Sequence, residues 1–297
     1  MKLLRTPDER FKNLSDFPYK PYYVEVDNIR IHYVDEGPKN EEVILLMHGE
    51  PSWSFLYRHM IPILMKAGYR TIAPDLVGFG RSDKPTEQSD HTYRKHVKWI
   101  TKFVKSLDLQ NITLFCQDWG SLIGLRVAIE NQERFTRIVL SNGGLPTGAQ
   151  NMSEAFLRWR EFSRTATKFD IKRIMQDGTI TKLSKDVLRG YDTPFPDDSY
   201  KAGARIMPSL VPISKDDPEF EANTRAWEQF GKWEKPFLTA FSDKDPITGG
   251  GYIPWQKHVP GAQGQNHPTI KDAGHFVQED KGTELAEVII EFIKNNP

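Results

Sequence analysis

Five consecutive residues, Cys116-Gln117-Asp118-Trp119-Gly120, set an acid at the centre of a small-x-acid-x-small pattern. A sharp turn from a strand into a helix needs such flanks, because larger side chains would collide there, and it presents its apical residue above the sheet. A carboxylate is a poor choice for cleaving a peptide or an ester. It suits attack on a saturated carbon, since displacement leaves an alkyl ester that water can then hydrolyse. That second step needs a general base, and Asp272-Ala-Gly274-His275-Phe supplies a histidine late in the chain. The base needs a third group to hold its tautomer and stabilise its cation; Ser242-Asp243-Lys244-Asp245 offers two acids. An isolated aspartate at a strand end would simply cap the next helix. The order acid, acid, histidine along the chain gives Asp118 a chemical reading instead.

Elements must carry these residues to one place. Unbroken apolar runs at Val43–Met47, Thr71–Ala73, Ile112–Cys116, Ile138–Ser141 and Phe237–Phe241 are bounded by Gly, Pro or Asp, the pattern of parallel strands buried on both faces. Helical spacing lies between and after them, at Val97, Ile100, Val104 and Leu107, and again at Leu285, Val288, Ile289, Phe292 and Ile293. The alternation predicts an α/β fold with helices flanking a mostly parallel sheet. A hairpin around Asp27-Asn28 precedes it. From Thr147 to Ile213 the strand signal vanishes into charged, helical and finally Pro-rich sequence, and it resumes at Pro236. This predicts a core domain of residues 1–146 and 214–297 with a helical cap, 147–213, inserted. In an open α/β sheet ligands bind beyond the carboxyl ends of the strands. That is where His48-Gly49-Glu50-Pro51, Asp75 to Ser82, Asp118 and the Asp243/Asp245 pair fall.

Composition excludes several classes. Forty Lys and Arg balance forty Asp and Glu, which gives no electrostatic reason to expect nucleic acid or a membrane surface as partner. One cysteine, Cys116, cannot form an internal disulfide, and no apolar run approaches a membrane span, so a cytoplasmic protein is expected. Zinc spacings are absent, and Gly78-Phe-Gly80 lacks the remaining residues of a dinucleotide or phosphate loop and reads as a tight turn. No metal and no cofactor are expected. Cys116 reads as a buried, inert filler of the elbow.

The motifs His48-Gly-Glu-Pro-Ser-Trp53, Asp75-Leu-Val-Gly-Phe-Gly-Arg-Ser82, Gln117-Asp-Trp-Gly120, Pro194-Phe-Pro-Asp-Asp-Ser-Tyr200 and Asp272-Ala-Gly-His-Phe-Val-Gln278 make the chain resemble the α/β-hydrolase superfamily. Within it the chain resembles the haloalkane dehalogenases, in the branch of the dichloroethane-degrading enzyme, over nearly its whole length. The resemblance implies hydrolysis of a small uncharged haloalkane by water to an alcohol, a halide and a proton, through an alkyl ester on Asp118. It implies His275 as the base and favours Asp245 over Asp243 as its acid; the alternative acid position, after Val139-Leu-Ser, is an amide, Asn142. It further implies the backbone N–H groups of Glu50 and Trp119 as oxyanion donors. The halide wants N–H donors in a dry pocket, which indoles supply. Trp119 adjoins Asp118, and of seven tryptophans only Trp159 lies in the insertion, in Phe156-Leu-Arg-Trp159, which resembles the family's lid motif. A monomer is expected.

Two other readings are open at this point. Epoxide hydrolysis uses the same Asp, His and Asp but needs lid tyrosines to protonate the opening oxygen, and Tyr191 and Tyr200 are available. A receptor that binds a small apolar ligand without turning it over is the third.

Overall fold

A computed structural model describes residues 1–39 and 42–297. The chain enters through β1 (Leu3–Leu4) and the hairpin β2 (Tyr22–Val26) and β3 (Ile29–Glu36), then alternates: β4 (Val43–Met47), α1 (Ile61–Lys66), β5 (Arg70–Pro74), β6 (Lys84–Pro85), α2 (Tyr93–Ser106), β7 (Ile112–Asp118), α3 (Trp119–Glu130) and β8 (Phe135–Gly143). Four helices follow without a strand among them: α4 (Glu154–Thr165), α5 (Ile171–Asp177), α6 (Lys185–Asp192) and α7 (Ala202–Leu210). Then come α8 (Phe220–Phe230), β9 (Phe237–Thr239), β10 (Phe241–Ser242), α9 (Tyr252–His258), β11 (Thr269–Ile270) and α10 (Val277–Asn295).

Seven strands form the central sheet in the order β2-β3-β5-β4-β7-β8-β9, antiparallel at β2, β3 and β5 and parallel from β5 onward. This is the mostly parallel α/β sheet the apolar runs predict. Asp27 and Asn28 both take positive φ, 51° and 60°, the backbone a two-residue hairpin turn demands. β4 is buried at every residue because neighbours cover both of its faces. α2 is amphipathic and starts at Thr92, whose side chain accepts the Lys95 N–H. α3 is buried along nearly its whole length; it packs between the sheet, α2 and α8, while α1 packs on α10.

One predicted strand is two. The run Phe237–Phe241 breaks at Ala240, where the chain changes partner: β9 pairs with β8, whereas β10 pairs in parallel with β11. The exchange brings residues 269–270 alongside 241–242, and so carries the following histidine loop to the end of the sheet where Asp245 lies.

Candidate functional site

Asp118 ends β7 and immediately precedes α3, with φ 49° and ψ −130°. For a residue with a side chain this conformation costs about 1–3 kcal/mol and persists only where the surroundings fix it. They do so here. A Cβ on Gly120 would come within 2.0 Å of the Met47 carbonyl oxygen, and one on Gly49 within 2.3 Å of Asp118 Oδ1, so only glycine admits the approach of the β4 loop to the elbow. Ser121 Oγ donates to the Asp118 carbonyl at 2.5 Å. Cys116 is fully buried, as expected of an elbow filler, and burial raises its thiol pKa.

Two loops meet Asp118. The first follows β4, and its Glu50 N–H donates to Asp118 Oδ1 at 2.8 Å. His48 shapes this loop: Nε2 accepts the Leu76 N–H at 2.9 Å and Nδ1 donates to Gly49 O at 2.9 Å. Buried Asp75 braces the neighbouring loop by accepting the Ser54 N–H at 2.8 Å, the Arg81 N–H at 2.7 Å and His32 Nδ1 at 2.7 Å. The Glu50 side chain is itself buried, and burial, reinforced by the charge of Asp118, pushes its carboxyl well above the ordinary range.

The second loop brings His275. Its Nε2 lies 3.4 Å from Asp118 Oδ2, and its Nδ1 donates to Asp245 Oδ2 at 2.9 Å. Asp245 also accepts the Ile247 N–H at 2.9 Å and the Thr248 hydroxyl. Asp243, by contrast, faces Lys244 and Lys271 at the surface. Burial disfavours the His275 cation, but Asp245, joined by Asp118, outweighs it and raises the imidazole to about 10. Burial likewise works against the Asp245 carboxylate, yet its hydrogen-bond partners, His275 first, hold it below the usual value.

Two residues near this centre escape a motif reading. Gln117 Nε2 donates to the His275 carbonyl at 3.2 Å and lies 3.2 Å from its Nε2. Asn142 Nδ2 donates to the carbonyls of Gly274, at 2.9 Å, and His275, at 3.0 Å. The amide that disqualifies Asn142 as an acid is what lets it hold the histidine loop. Position 117, inside the elbow and beside Asp118, is the only local signal.

A cavity of about 1440 Å³ opens over Asp118, lined by Trp119, Leu122, Phe156, Trp159 and Phe276 among others. Trp119 is the first residue of α3, where a backbone N–H has no partner inside the helix. Trp159, half-buried on α4, stacks on Phe162 and lies against Phe169, with ring centres 5.7 and 5.8 Å apart. Trp53 and Trp227 spend their indole N–H groups on the carbonyls of Gly190 and Leu145. Tyr191 and Tyr200 do not reach the cavity wall: Tyr191 is fully buried with its hydroxyl on Glu279, and neither lines the space. Neither is placed to protonate an opening epoxide oxygen beside Asp118. Among the described residues no cluster of His, Cys, Asp and Glu could hold a metal, and no helix is long and apolar enough to cross a membrane.

A strand-end carboxylate meeting a histidine–acid pair above a mostly parallel sheet defines the class, and the model of the alpha/beta hydrolase fold matches residues 42–282. The chain is 53% identical over 302 aligned residues to the haloalkane dehalogenase of Psychrobacter cryohalolentis, covering 100% of both chains. It is 52% identical to that of Mycobacterium marinum, covering 98% of this chain and 99% of the relative. Its fold overlays the tetrameric haloalkane dehalogenase DpaA from Paraglaciecola agarilytica with a TM-score of 0.89 at 37% identity, covering 97% of each chain. The chain belongs to the haloalkane dehalogenase family.

Proposed function

We propose that the chain hydrolyses small haloalkanes with water, releasing an alcohol, a halide and a proton, and that Asp118 is the nucleophile. The observation that carries this is the division of labour between the two oxygens of Asp118. Oδ1 is held by the Glu50 N–H at 2.8 Å, which leaves Oδ2, 3.4 Å from His275 Nε2, to face the cavity chemistry. Oδ2 attacks the halogen-bearing carbon, the carbon–halogen bond breaks with its electron pair, and an ester forms. The indole N–H groups of Trp119 and Trp159 take the halide.

His275 Nε2 then removes a proton from water as the oxygen attacks Cγ of Asp118. The negative charge develops on Oδ1, where the Glu50 N–H already sits and the Trp119 N–H joins it; one such donor is worth roughly 3 kcal/mol. Collapse of the tetrahedral intermediate passes the proton from His275 to the leaving alkoxide, and the carboxylic acid left on Asp118 releases the second proton of the water, which is the proton product, to restore the carboxylate. Asp245 holds the Nδ1–H tautomer and stabilises the imidazolium. Alkylation also prepares the base. The ester is neutral, so the support Asp118 lends to the His275 cation disappears; the imidazolium loses its proton more readily, and His275 is left neutral with Nε2 free to take a proton from water.

In this reading residues 147–213 are a cap on a core of 1–146 and 214–297, supported by the strand-free run α4–α7 and by Phe156 and Trp159 reaching the cavity from it. A monomer is proposed as the working unit, although the relative DpaA is tetrameric; sedimentation tests this. A cytoplasmic setting is proposed with it, and cell fractionation tests that.

The decisive experiment replaces His275 with Phe, adds 1,2-dibromoethane or 1-bromobutane, and weighs the intact protein. The expected result is released halide with a persistent alkyl adduct on Asp118. Wild-type protein that frees no halide from any short haloalkane yet opens styrene oxide would sink the reading.

A further inference from the structure

Four and five residues after His275 the chain carries two adjacent carboxylates, Glu279 and Asp280, that the reaction does not consume. They lie in the first turn of α10, which non-helical Lys281 (φ −140°, ψ 37°) separates from the rest of the helix. Each grips the run of helices α4–α7. Glu279 accepts Arg58 Nη1 at 2.7 Å and Nη2 at 2.5 Å, and it accepts the hydroxyl of Tyr191 from α6. Asp280 accepts the N–H groups of Thr181 at 2.7 Å and Ile180 at 3.0 Å, between α5 and α6; on its other side it accepts the Gly274 N–H at 2.8 Å.

The bonds around the histidine are the telling ones. The Gly274 N–H, one residue before His275, goes to Asp280. The Phe276 N–H, one residue after it, goes to Gly178 O at 3.1 Å. Gly178 lies so close to the Phe276 ring that a Cβ would come within 2.5 Å of it. His275 is thus bracketed by two bonds that both refer its position to residues 178–181. Asp118 has no such tether; the β7–α3 elbow and Glu50 hold it.

We propose that Asp280 is a positioning residue for the hydrolytic half of the reaction: it clips the His275 loop to segment 178–181 and so aims Nε2 at the attacking water. The proposal rests on His275 being the base. A small displacement of a base can cost about a hundredfold, whereas displacement of halide by Asp118 does not draw on the clip. Asp280→Ala removes the acceptor for three N–H groups, and Asp280→Asn leaves one acceptor oxygen.

Single-turnover mixing of the full chain with 1,2-dibromoethane, followed by intact mass, reads both steps. In Asp280→Ala the halide burst should stay within about twofold of wild type while hydrolysis slows about tenfold or more, so that alkyl-enzyme dominates at steady state. Asp280→Asn should fall between, and it decides by the same ratio if the alanine variant does not fold. A purely structural residue would slow both steps together or lower only the yield of folded protein; equal slowing, or none, overturns the clip. His275→Phe run in parallel separates the two claims. No adduct there overturns the base and the clip with it; an adduct there, with an unchanged ratio in the Asp280 variants, overturns the clip alone.

Discussion

The floor and the roof of the cavity are held in different ways. On the floor, Asp118 is fixed by a strained elbow, two glycines that admit no Cβ, and the Glu50 N–H, while Asp245 has a side chain only 1% exposed and bonds to three partners. On the roof, Trp159 is half-buried on α4 between Phe162 and Phe169, and Phe162 is itself 42% exposed. The groups proposed to make bonds are over-determined by backbone contacts at the sheet, whereas the group proposed to greet the leaving atom rests on side-chain stacking. Such a roof can be altered in shape without loss of the fold, which is where substrate preference is expected to vary.

If the floor is as rigid as this, damage to it should be large and specific. Asp245→Asn keeps the shape but offers an amide where His275 Nδ1 donates, favouring the wrong tautomer. Hydrolysis should fall by about 10³–10⁴-fold, by analogy with the same change in a serine-protease triad. Steady-state halide release and intact mass check this: a loss below tenfold would show that Asp245 is not what orients the base.

Gly120→Ala asks for less chemistry and more geometry. The new Cβ would meet the Met47 carbonyl, an atom of the central strand that cannot turn aside. The expected cost is about 3 kcal/mol of stability, together with loss of activity as the elbow shifts. A denaturant midpoint equal to wild type would mean that the elbow is softer than the comparison claims.

Much of the floor is legible in the sequence because its constraints are local. The small flanks of Asp118, the unbroken runs of β4 and β7 and the Asp27-Asn28 turn each declare a conformation within a few residues. The acid pair is harder: Asp243 and Asp245 differ only in where the loop after β10 aims them, which no period encodes, and the resemblance rather than the spacing singles out Asp245. The Glu279 and Asp280 contacts are invisible locally: Glu279 reaches the side chains of Tyr191 and Arg58, 88 and 221 positions away, and Asp280 reaches backbone N–H groups about a hundred positions away, which have no side-chain signature. Ala240 escapes notice for a similar reason: a change of strand partner leaves the apolar run unbroken.

A third test concerns the charge of the floor. His275 stands at about 10 because Asp245 and Asp118 together outweigh its burial. Asp118→Asn keeps the shape and removes one of those charges, as alkylation does, so the imidazole should titrate lower, toward the ordinary value of about 6.5. An NMR titration of the His275 ring reads the shift directly. An unchanged value would mean that Asp118 does not control the base, and the proposed preparation of His275 by the first half-reaction would fall.

The smallest effect is expected on the roof. Trp159→Phe preserves the stack with Phe162 and Phe169 but removes an indole N–H. A single hydrogen bond to a charged partner contributes about 1.5–3 kcal/mol, so the halide dissociation constant should rise by about ten- to a hundredfold, with displacement slowed and the thermal midpoint nearly unchanged. Halide quenching of the remaining tryptophan fluorescence measures the first and single-turnover halide release the second. If Trp159→Phe instead unfolded the protein, α4 would be a structural wall and the contrast between floor and roof would be wrong. Unchanged halide affinity would leave the contrast standing but move the second donor away from Trp159, with Trp255, which also lines the cavity, the next indole to replace.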